Sequence, residues 1–297
     1  MGSVTMGVLV MPTPRFYTKD TFPFFNLKTL DGPEDPWGAA GQAALEDPDA
    51  PDLCPFWHQW IGVTKIMHNF MEKLPMLVLD QVGVGKTMQA IGAIAMYEWL
   101  RLYYDSHHEY MRGLQDTVCA RADKPLKSGI HVVVCTNGLV DQWIAELHRC
   151  LKSTKFVVLP YTGTCLEKNR KPFWDTVKNL QDTRPGLTVI VITTYIAVAA
   201  DVAQSFTIRP GGTKETLGMI PKRGGIPAST LFAHNIATVM ADEVYNVRKP
   251  GVRQTALYQL LSRCELKIGM TTVPIVTESM VRCRAPGARL FDIERSG

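Results

Sequence analysis

Apolar runs of strand length recur along the chain from about residue 55, with amphipathic stretches between them. The runs occupy residues 76–79, 131–135, 156–159, 189–193, 239–241 and 266–270. Two of the intervening stretches place apolar side chains on one helical face, namely Leu139, Val140, Trp143, Ile144 and Leu147, and Ala256, Leu257, Leu260 and Leu261. Continuous apolar strands that alternate with amphipathic helices are typical of a parallel sheet covered on both faces. The pattern therefore predicts an α/β fold.

The segments outside this alternating pattern have a different character. Residues 1–54 are rich in proline, glycine, alanine and aspartate and show little periodicity, which predicts a loosely ordered extension. Residues 279–297 are predicted to form a basic tail, and residues 55–278 a single folded domain. Within that domain, residues 112–128 and 207–227 are polar and basic, and we expect them to be loops.

Composition narrows the class of protein. The chain has 297 residues, of which 46% are apolar, enough for one sizeable core. Its longest apolar stretch, residues 188–200, is shorter than the roughly 20 residues that a membrane-spanning helix needs, so no membrane partner is expected. Residues 1–10 lack the basic start of a secretory signal. The seven cysteines form no closely spaced pair, which favours a reduced, intracellular compartment over disulfides or a zinc site.

The net charge of +4 is unevenly distributed. Up to Trp60, acidic residues outnumber basic ones, so the rest of the chain is distinctly basic. A basic globular part is compatible with a nucleic-acid partner.

The junction between the first apolar run and the next helix carries a phosphate-binding pattern. Its sequence is Asp80-Gln81-Val82-Gly83-Val84-Gly85-Lys86-Thr87, which meets G-x-x-x-x-G-K-[ST] except at Asp80. Backbone N–H groups can surround a triphosphate only where side chains are out of the way, which Gly83 and Gly85 permit. Lys86 then reaches the β- and γ-phosphates, and Thr87 ligates Mg²⁺. The predicted nucleotide-binding residues of this loop are Asp80, Gly83, Val84, Gly85, Lys86 and Thr87.

Residues 88–104 are predicted to form a helix directly after this loop. Ile91, Ala95, Trp99 and Leu102 fall on one stripe, and the stretch contains no proline. The N-terminus of the helix would point at the phosphates and add its dipole to the donors of the loop. The alternative is a glycine turn between a buried strand and a helix, with Lys86 in solvent.

An acidic motif completes the predicted site. The apolar run 239–241 leads into Asp242 and Glu243, and parallel sheets place ligands at the carboxyl ends of their strands. Asp242 is predicted to hold Mg²⁺ together with Thr87, and Glu243 to polarise the attacking water. Glu243 and Lys86 are therefore the predicted catalytic residues. The alternative is a pair of solvated acids after a short strand.

Six segments of the chain, in order, resemble the first RecA-like lobe of the Swi/Snf-type, helicase-like ATPases of superfamily two. They are residues 56–63, 80–87, 131–143, 161–163, 191–195 and 242–250. The second resembles D-E-x-G-x-G-K-T, the third a strand followed by P-x-x-L-x-x-Q-W, and the fourth Y-x-G. The fifth resembles I-T-T-Y and the last D-E-A-H-x-[IV]-[RK]-N-P. The resemblance covers roughly residues 55–275.

The resemblance implies a RecA-like P-loop NTPase domain that binds ATP and Mg²⁺ and hydrolyses ATP. Gln59 matches the glutamine with which the family contacts adenine. The implied partner is DNA or nucleosomal DNA, held weakly through its backbone near Thr193, Thr194 and Tyr195, and the implied role is chromatin remodelling in the nucleus. The basic segments 168–171 and 209–223 are further candidates for phosphate contacts.

Several positions depart from the family pattern. Tyr245 stands where the family has histidine, and Lys249 replaces the usual asparagine. The coupling motif T-G-T-P reads Thr271-Thr272-Val273-Pro274, and only a short basic tail follows it. The second RecA-like lobe, which supplies the family's arginine finger, would then have to be a partner. We therefore expect the chain alone to bind ATP but to hydrolyse it slowly.

Two other functions compete with this one. The first is a non-catalytic, nucleotide-responsive module that binds DNA or a partner protein without turnover. The second is a small-molecule kinase, which is disfavoured because the chain has no obvious lid and kinases do not carry these segments in this order. DNA-stimulated release of phosphate would distinguish the ATPase from the non-catalytic module.

Overall fold

A computed structural model of the chain describes residues 21–74, 76–110, 124–162, 167–208, 219–249 and 251–272. Its helices are α1 (Ala39–Leu45), α2 (Trp57–Met71), α3 (Lys86–His107), α4 (Val140–Cys150), α5 (Glu167–Thr183), α6 (Tyr195–Ser205) and α7 (Val252–Leu261). Its strands are β1 (Met76–Val78), β2 (Ile130–Cys135), β3 (Phe156–Tyr161), β4 (Thr188–Thr194), β5 (Phe206–Ile208), β6 (Met219–Pro221), β7 (Ile236–Asp242) and β8 (Leu266–Met270). None of the helices in these ranges is long and apolar enough to cross a bilayer.

The six predicted apolar runs all form strands of one sheet. Its order is β1-β8-β7-β2-β4-β3, and every neighbouring pair is parallel. Every residue of β2 and of β4 is buried. Burial on both faces explains why these strands are continuous apolar runs and do not alternate with polar residues. The predicted α/β class with a parallel sheet is confirmed.

The two faces of the sheet have separate cores. Val133 and Cys135 of β2 face the cluster that contains α2, α3 and α4, whereas Val132 and Val134 face the cluster that contains α5, α6 and α7. Side chains of a strand alternate between faces, so one strand supplies both cores. Helix α3 is buried over most of its first three turns and not only along the predicted stripe, as is usual for a central helix.

A buried polar cluster joins α3 to the sheet. Oε1 of Glu98 lies 3.0 Å from Nε2 of His131, and Arg101 donates a hydrogen bond of 2.7 Å to Oε2 of Glu98. The other ring nitrogen of His131 lies 2.8 Å from Oγ1 of Thr238. Burial opposes ionisation of Glu98, but His131 and Arg101 outweigh it and lower its pKa to about 2. Polar groups at this depth persist because they are paired.

The segment from residue 21 to residue 54 packs on the domain, so the expectation of a loose extension is wrong for these residues; residues 1–20 lie outside the described part. Phe22 and Phe25 are 2% and 1% exposed. Nδ2 of Asn26 donates to the carbonyl oxygen of Arg149 at 2.9 Å, and Nε1 of Trp37 donates to that of Leu151 at 2.7 Å. The segment thus satisfies carbonyl groups that the end of α4 leaves without helical partners.

The two predicted loops are only partly described. In the second, β5 pairs antiparallel with β6 to form a short hairpin, which the sequence did not predict. Residues 209–218 between these strands lie outside the described part, as do residues 111–123 of the first loop and the predicted tail at 279–297.

Candidate nucleotide-binding site

The predicted site residues meet at one edge of the sheet. Because all six strands are parallel, their carboxyl ends lie at the same edge. Strands β1, β8 and β7 are consecutive neighbours, so the phosphate loop after β1 and Asp242 at the end of β7 flank Thr271, which follows β8. The topology thus brings together segments that are distant in the sequence.

The phosphate loop has the backbone conformation that its glycines permit. Gly83 and Gly85 have φ angles of +87° and +85°, in the left-handed region where side chains are strained. At Gly85 a Cβ atom would lie 2.1 Å from Nε2 of Gln59. Gly85 precedes the first residue of α3, so the backbone N–H groups at this helix start are available for an anion.

Lys86 folds back over its own loop. Its Nζ donates hydrogen bonds to the carbonyl oxygens of Asp80 at 2.8 Å and of Gln81 at 2.9 Å. The side chain of Asp80 accepts a hydrogen bond of 3.2 Å from Nε2 of Gln89, a buried residue of α3. The ammonium group therefore lies inside the loop, and Asp80, which replaces the usual glycine, anchors the loop to the helix.

The first turn of α2 packs against the same loop. Gln59 is 6% exposed, and its Oε1 accepts a hydrogen bond of 2.9 Å from the backbone N–H of Phe56. Nε2 of the neighbouring His58 lies 2.9 Å from the carbonyl oxygen of Val84 and serves as its donor. Gln59 thus lies beside the loop, with its oxygen engaged in capping α2 and its amide nitrogen against Gly85.

Asp242 is held by two donors. Nε1 of Trp143, on α4, donates to Oδ2 at 2.9 Å, and the backbone N–H of Glu243 donates to Oδ1 at 2.9 Å. Burial raises the pKa of Asp242, and the charge of Lys86 acts in the opposite direction. A nearby cation would therefore stabilise the ionised carboxylate. The sequence identified Trp143 as an apolar helix position and as part of the segment 131–143 that resembles the family, but it did not reveal the contact of Trp143 with Asp242.

Glu243 has an uncommon backbone conformation. Its φ and ψ are both 52°, in the left-handed region, which costs a residue with a side chain about 1–3 kcal/mol. Oγ1 of Thr271 donates a hydrogen bond of 3.3 Å to Oε2 of Glu243. Thr271 is buried and belongs to the segment that resembles the coupling motif, so this segment contacts the acidic motif directly.

Two oxygen donors are available for a divalent cation. Thr87 lies half-buried in the first turn of α3, and Asp242 ends β7. Among the described residues, no direct hydrogen bond joins these two side chains, and no group of three or more His, Cys, Asp or Glu side chains forms a metal cage. One carboxylate and one hydroxyl, completed by phosphate oxygens and water, fit Mg²⁺.

The structure describes the surroundings of some of the residues that depart from the family pattern. Tyr245 is half-buried in a short 3₁₀ helix (Val244–Val247), and the guanidinium of Arg248 lies 6.0 Å from the centre of its ring. Lys249 is exposed. Val273 and Pro274 lie outside the described residues.

The residues expected near nucleic acid are mostly buried. Thr193, Thr194 and Tyr195 are at most 5% exposed, and Oγ1 of Thr194 caps α6 by accepting a hydrogen bond from the N–H of Ala197. Arg170 is also buried. Its Nη1 lies 2.9 Å from Oδ1 of Asp201, so its proposed contact with phosphate is wrong in this structure.

Other basic side chains of the segments 168–171 and 209–223 are exposed. Lys171 on α5, and Lys222 and Arg223 after β6, are exposed. Residues 209–218 lie outside the described part, and the side chains of residues 167–169 are not described.

A glycine loop between a parallel strand and a helix, with a carboxylate at the end of the next strand but one in the sheet, is typical of a RecA-like P-loop domain. The SNF2-related domain family matches residues 58–275, and the chain belongs to this family.

One similar protein is the chromatin-remodeling ATPase INO80 of Candida glabrata, with 23% identity over 164 residues. The match covers 55% of this chain but only 9% of that protein. The Sulfolobus solfataricus SWI2/SNF2 ATPase core in complex with dsDNA has 15% identity and a TM-score of 0.39, over 74% of this chain and 32% of that one. A nuclease-deletion mutant of the Type ISP restriction-modification enzyme LlaGI, with a DNA substrate mimic, has 10% identity and a TM-score of 0.45, over 75% and 18%.

Proposed function

We propose that the chain is the ATP-binding lobe of a DNA-dependent, helicase-like ATPase of the chromatin-remodelling type. The observation that carries this proposal is the loop between β1 and α3, whose Gly83 and Gly85 adopt left-handed conformations, at the same edge of the sheet as Asp242 at the end of β7. This is the arrangement that a metal-bound triphosphate requires. Membership of the SNF2-related family supports the choice of ATPase class.

Each site residue has a role in this proposal. Lys86 exchanges the carbonyl oxygens of Asp80 and Gln81 for phosphate oxygens, while Thr87 and Asp242 hold Mg²⁺. The ion, when bound, neutralises charge on the phosphates. Glu243 orients the attacking water, and Gln59 contacts the adenine ring through its amide.

Thermal unfolding with and without Mg·ATP tests nucleotide binding. Ligand that binds only the folded state stabilises it, so millimolar Mg·ATP should raise the Tm of the wild type. Lys86→Ala should abolish this increase. Lys65→Ala, which changes an exposed lysine on α2, should retain it. The proposal fails if the wild type is not stabilised, or if Lys86→Ala is stabilised equally.

DNA is the proposed partner, and the nucleus is where chromatin would be encountered. One lobe offers few phosphate contacts, so binding should be weak and should fall with salt at a slope of about −0.9 per contact on duplex. Binding to a fluorescent duplex at several salt concentrations measures this slope. Absence of binding at low salt, or binding unaffected by salt, would contradict a DNA partner.

Slow turnover is the proposed behaviour of the chain alone. The arginine finger of such motors comes from a second RecA-like lobe and contributes about 10³–10⁵ to the rate. A second RecA-like lobe is therefore a further proposed partner. Robust DNA-stimulated phosphate release by the chain alone, lost in Glu243→Gln, would show that an equivalent charge is already present.

The second candidate is a non-catalytic module that responds to nucleotide by binding DNA or a protein. The observation that favours it is Tyr245, which occupies the family's histidine position and packs beside Arg248. Such a module would bind Mg·ATP but release no phosphate when DNA and a second lobe from a related motor are both supplied. Phosphate release under those conditions would exclude it.

A further inference from the structure

The peptide bond between Asp242 and Glu243 is held from both sides. Its carbonyl oxygen accepts a hydrogen bond of 2.7 Å from the hydroxyl of Tyr195, and its N–H donates to Oδ1 of Asp242 at 2.9 Å. The carbonyl oxygen of Glu243 accepts from the backbone N–H of Asn246 at 3.0 Å and from its side chain at 2.8 Å. A rotation of the Asp242–Glu243 peptide would break the first two of these bonds.

These bonds coincide with the left-handed backbone of Glu243. A residue with a side chain keeps this conformation only where its surroundings determine it. The bond from Tyr195 is the one that comes from a different element, since Tyr195 is the first residue of α6 and the other donors belong to the acidic segment itself. The hydroxyl of Tyr195 therefore ties the start of α6 to the orientation of Glu243.

Tyr195 is suited to this task by its environment. It is 5% exposed, and its hydroxyl lies 2.7 Å from the carbonyl oxygen of Asp242. A carbonyl oxygen can only accept, so the hydroxyl of Tyr195 is the donor in this bond.

We propose that Tyr195 is a positioning residue that holds Glu243 in the backbone conformation needed to orient the attacking water. The role of Glu243 rests on the proposed function, but the conformational effect of Tyr195 does not. The same contact gives the segment 191–195 a direct physical link to the hydrolytic site. A displacement at the start of α6 would be felt at Glu243 through one hydrogen bond.

Tyr195→Phe tests the proposal because it removes the hydroxyl and keeps the ring. Tyr161→Phe is a matched control, since Tyr161 is also buried and its hydroxyl also donates a hydrogen bond, in this case to the carboxylate of Asp201 at 3.0 Å. Tyr161 belongs to β3, the strand at the opposite edge of the sheet from β1. The control therefore costs a similar buried hydrogen bond without touching the acidic motif.

The first readout is amide hydrogen exchange, measured by NMR on the full, ligand-free chain. In Tyr195→Phe the amides of Glu243 and Asn246 should exchange about tenfold faster, as expected for the loss of one hydrogen bond. The strand amide of Met240 should be unchanged, and Tyr161→Phe should leave all three unchanged. Unaltered exchange at Glu243 in Tyr195→Phe, or an equal rise in Tyr161→Phe, would overturn the proposal.

The second readout is single-turnover hydrolysis of Mg·ATP with protein in excess. Tyr195→Phe should slow hydrolysis by about tenfold and change the Kd for Mg·ATP by less than about twofold. A loss of affinity at an unchanged rate would overturn the positioning role. If wild-type protein does not bind Mg·ATP, the proposed function fails, while the amide exchange still decides whether Tyr195 sets the conformation of Glu243.

Discussion

The indole N–H of Trp143 donates a hydrogen bond of 2.9 Å to the carboxylate of Asp242, so a side chain of α4 orients the residue that ends β7. At the opposite end of α4, the side chain of Asn26 donates to the carbonyl oxygen of Arg149. The indole of Trp37 donates to the carbonyl oxygen of Leu151, the residue that follows the helix. Helix α4 therefore connects residues 21–54 to the predicted metal ligand. A substitution at either end can affect the site by moving this helix.

Trp143→Phe should weaken the effect of Mg²⁺ on ATP binding. The phenyl ring retains most of the packing but cannot donate to Asp242, and loss of such an outer-shell donor costs about 10–100-fold in metal affinity. Binding of a fluorescent ATP analogue with and without Mg²⁺ measures this effect. Metal-free binding should be unchanged. Trp174→Phe, which is equally buried on the other face of the sheet, is the control and should retain the full effect of Mg²⁺.

Substitutions of Gln59 should separate helix capping from base recognition. Gln59→Glu keeps the oxygen that accepts from Phe56 N but loses the amide donors, whereas Gln59→Ala loses both. Both variants should therefore discriminate less between ATP and GTP, and only Gln59→Ala should lose about 1 kcal/mol of unfolding free energy. Calorimetric titration with each nucleotide and urea unfolding provide the two measurements. Unchanged discrimination in both variants would leave Gln59 with a capping role alone.

Arg170 and Lys171 are adjacent, yet they should behave differently. Arg170→Met removes one partner of a buried ion pair with Asp201, which should cost about 3–5 kcal/mol of unfolding free energy. It should leave the salt dependence of DNA binding unchanged at a temperature where the variant is folded. Lys171→Ala should have little effect on stability and, if Lys171 contacts phosphate, should reduce the salt slope by about 0.9. An altered slope in folded Arg170→Met would contradict the structural role assigned to it.

Glu98 should make the stability of the domain depend on pH in the acid range. Its pKa is lowered from 4.5 to about 2 in the folded state, because the hydrogen bonds and charges of His131 and Arg101 outweigh the effect of burial. A lowered pKa stabilises the fold above the unfolded value and loses that contribution as the pH falls. About 3 kcal/mol should therefore disappear between about pH 4.5 and pH 2.

Denaturant unfolding across this pH range, on wild type and two variants, checks the prediction. Glu98→Gln should be less stable by about 3–5 kcal/mol near neutral pH and should lose this part of the acid dependence. Glu146→Gln removes a partly exposed pair with Arg149 and should cost less than about 1 kcal/mol. An acid dependence in Glu98→Gln equal to that of the wild type would assign the effect to other groups.

The sequence predicted the elements that appear as repeated apolar patterns along the chain. All six strands appeared as apolar runs because both faces of the sheet are covered, and helix α3 was expected directly after the phosphate loop. The edge at which Asp242 and the loop meet also followed from the parallel arrangement. The strand order was not predictable from these patterns, since any order of buried parallel strands has the same apolar character.

Contacts between distant residues accounted for most of what was missed. Arg170 shares a helical face with Trp174 and Val177, a spacing that could have indicated burial. The contact of Trp143 with Asp242 leaves no periodic signal. Residues 21–54 were misjudged because Phe22, Phe25 and Leu53 are irregularly spaced in a polar, proline-rich segment. Their burial depends on partners elsewhere in the chain.

Among the described residues, the pairing of β1 with β8 brings together the two strands of the sheet that come first and last in the sequence, with Met76 opposite Ile268. The strand that carries the phosphate loop is therefore synthesised long before the neighbour that anchors it. Strand β1 cannot form this pairing until the ribosome has made the segments between the two strands and β8 itself. Contacts between such distant residues slow folding. A chain truncated before β8 should therefore leave β1 without the strand it pairs with in the described sheet, so that the glycine loop would follow an unpaired strand.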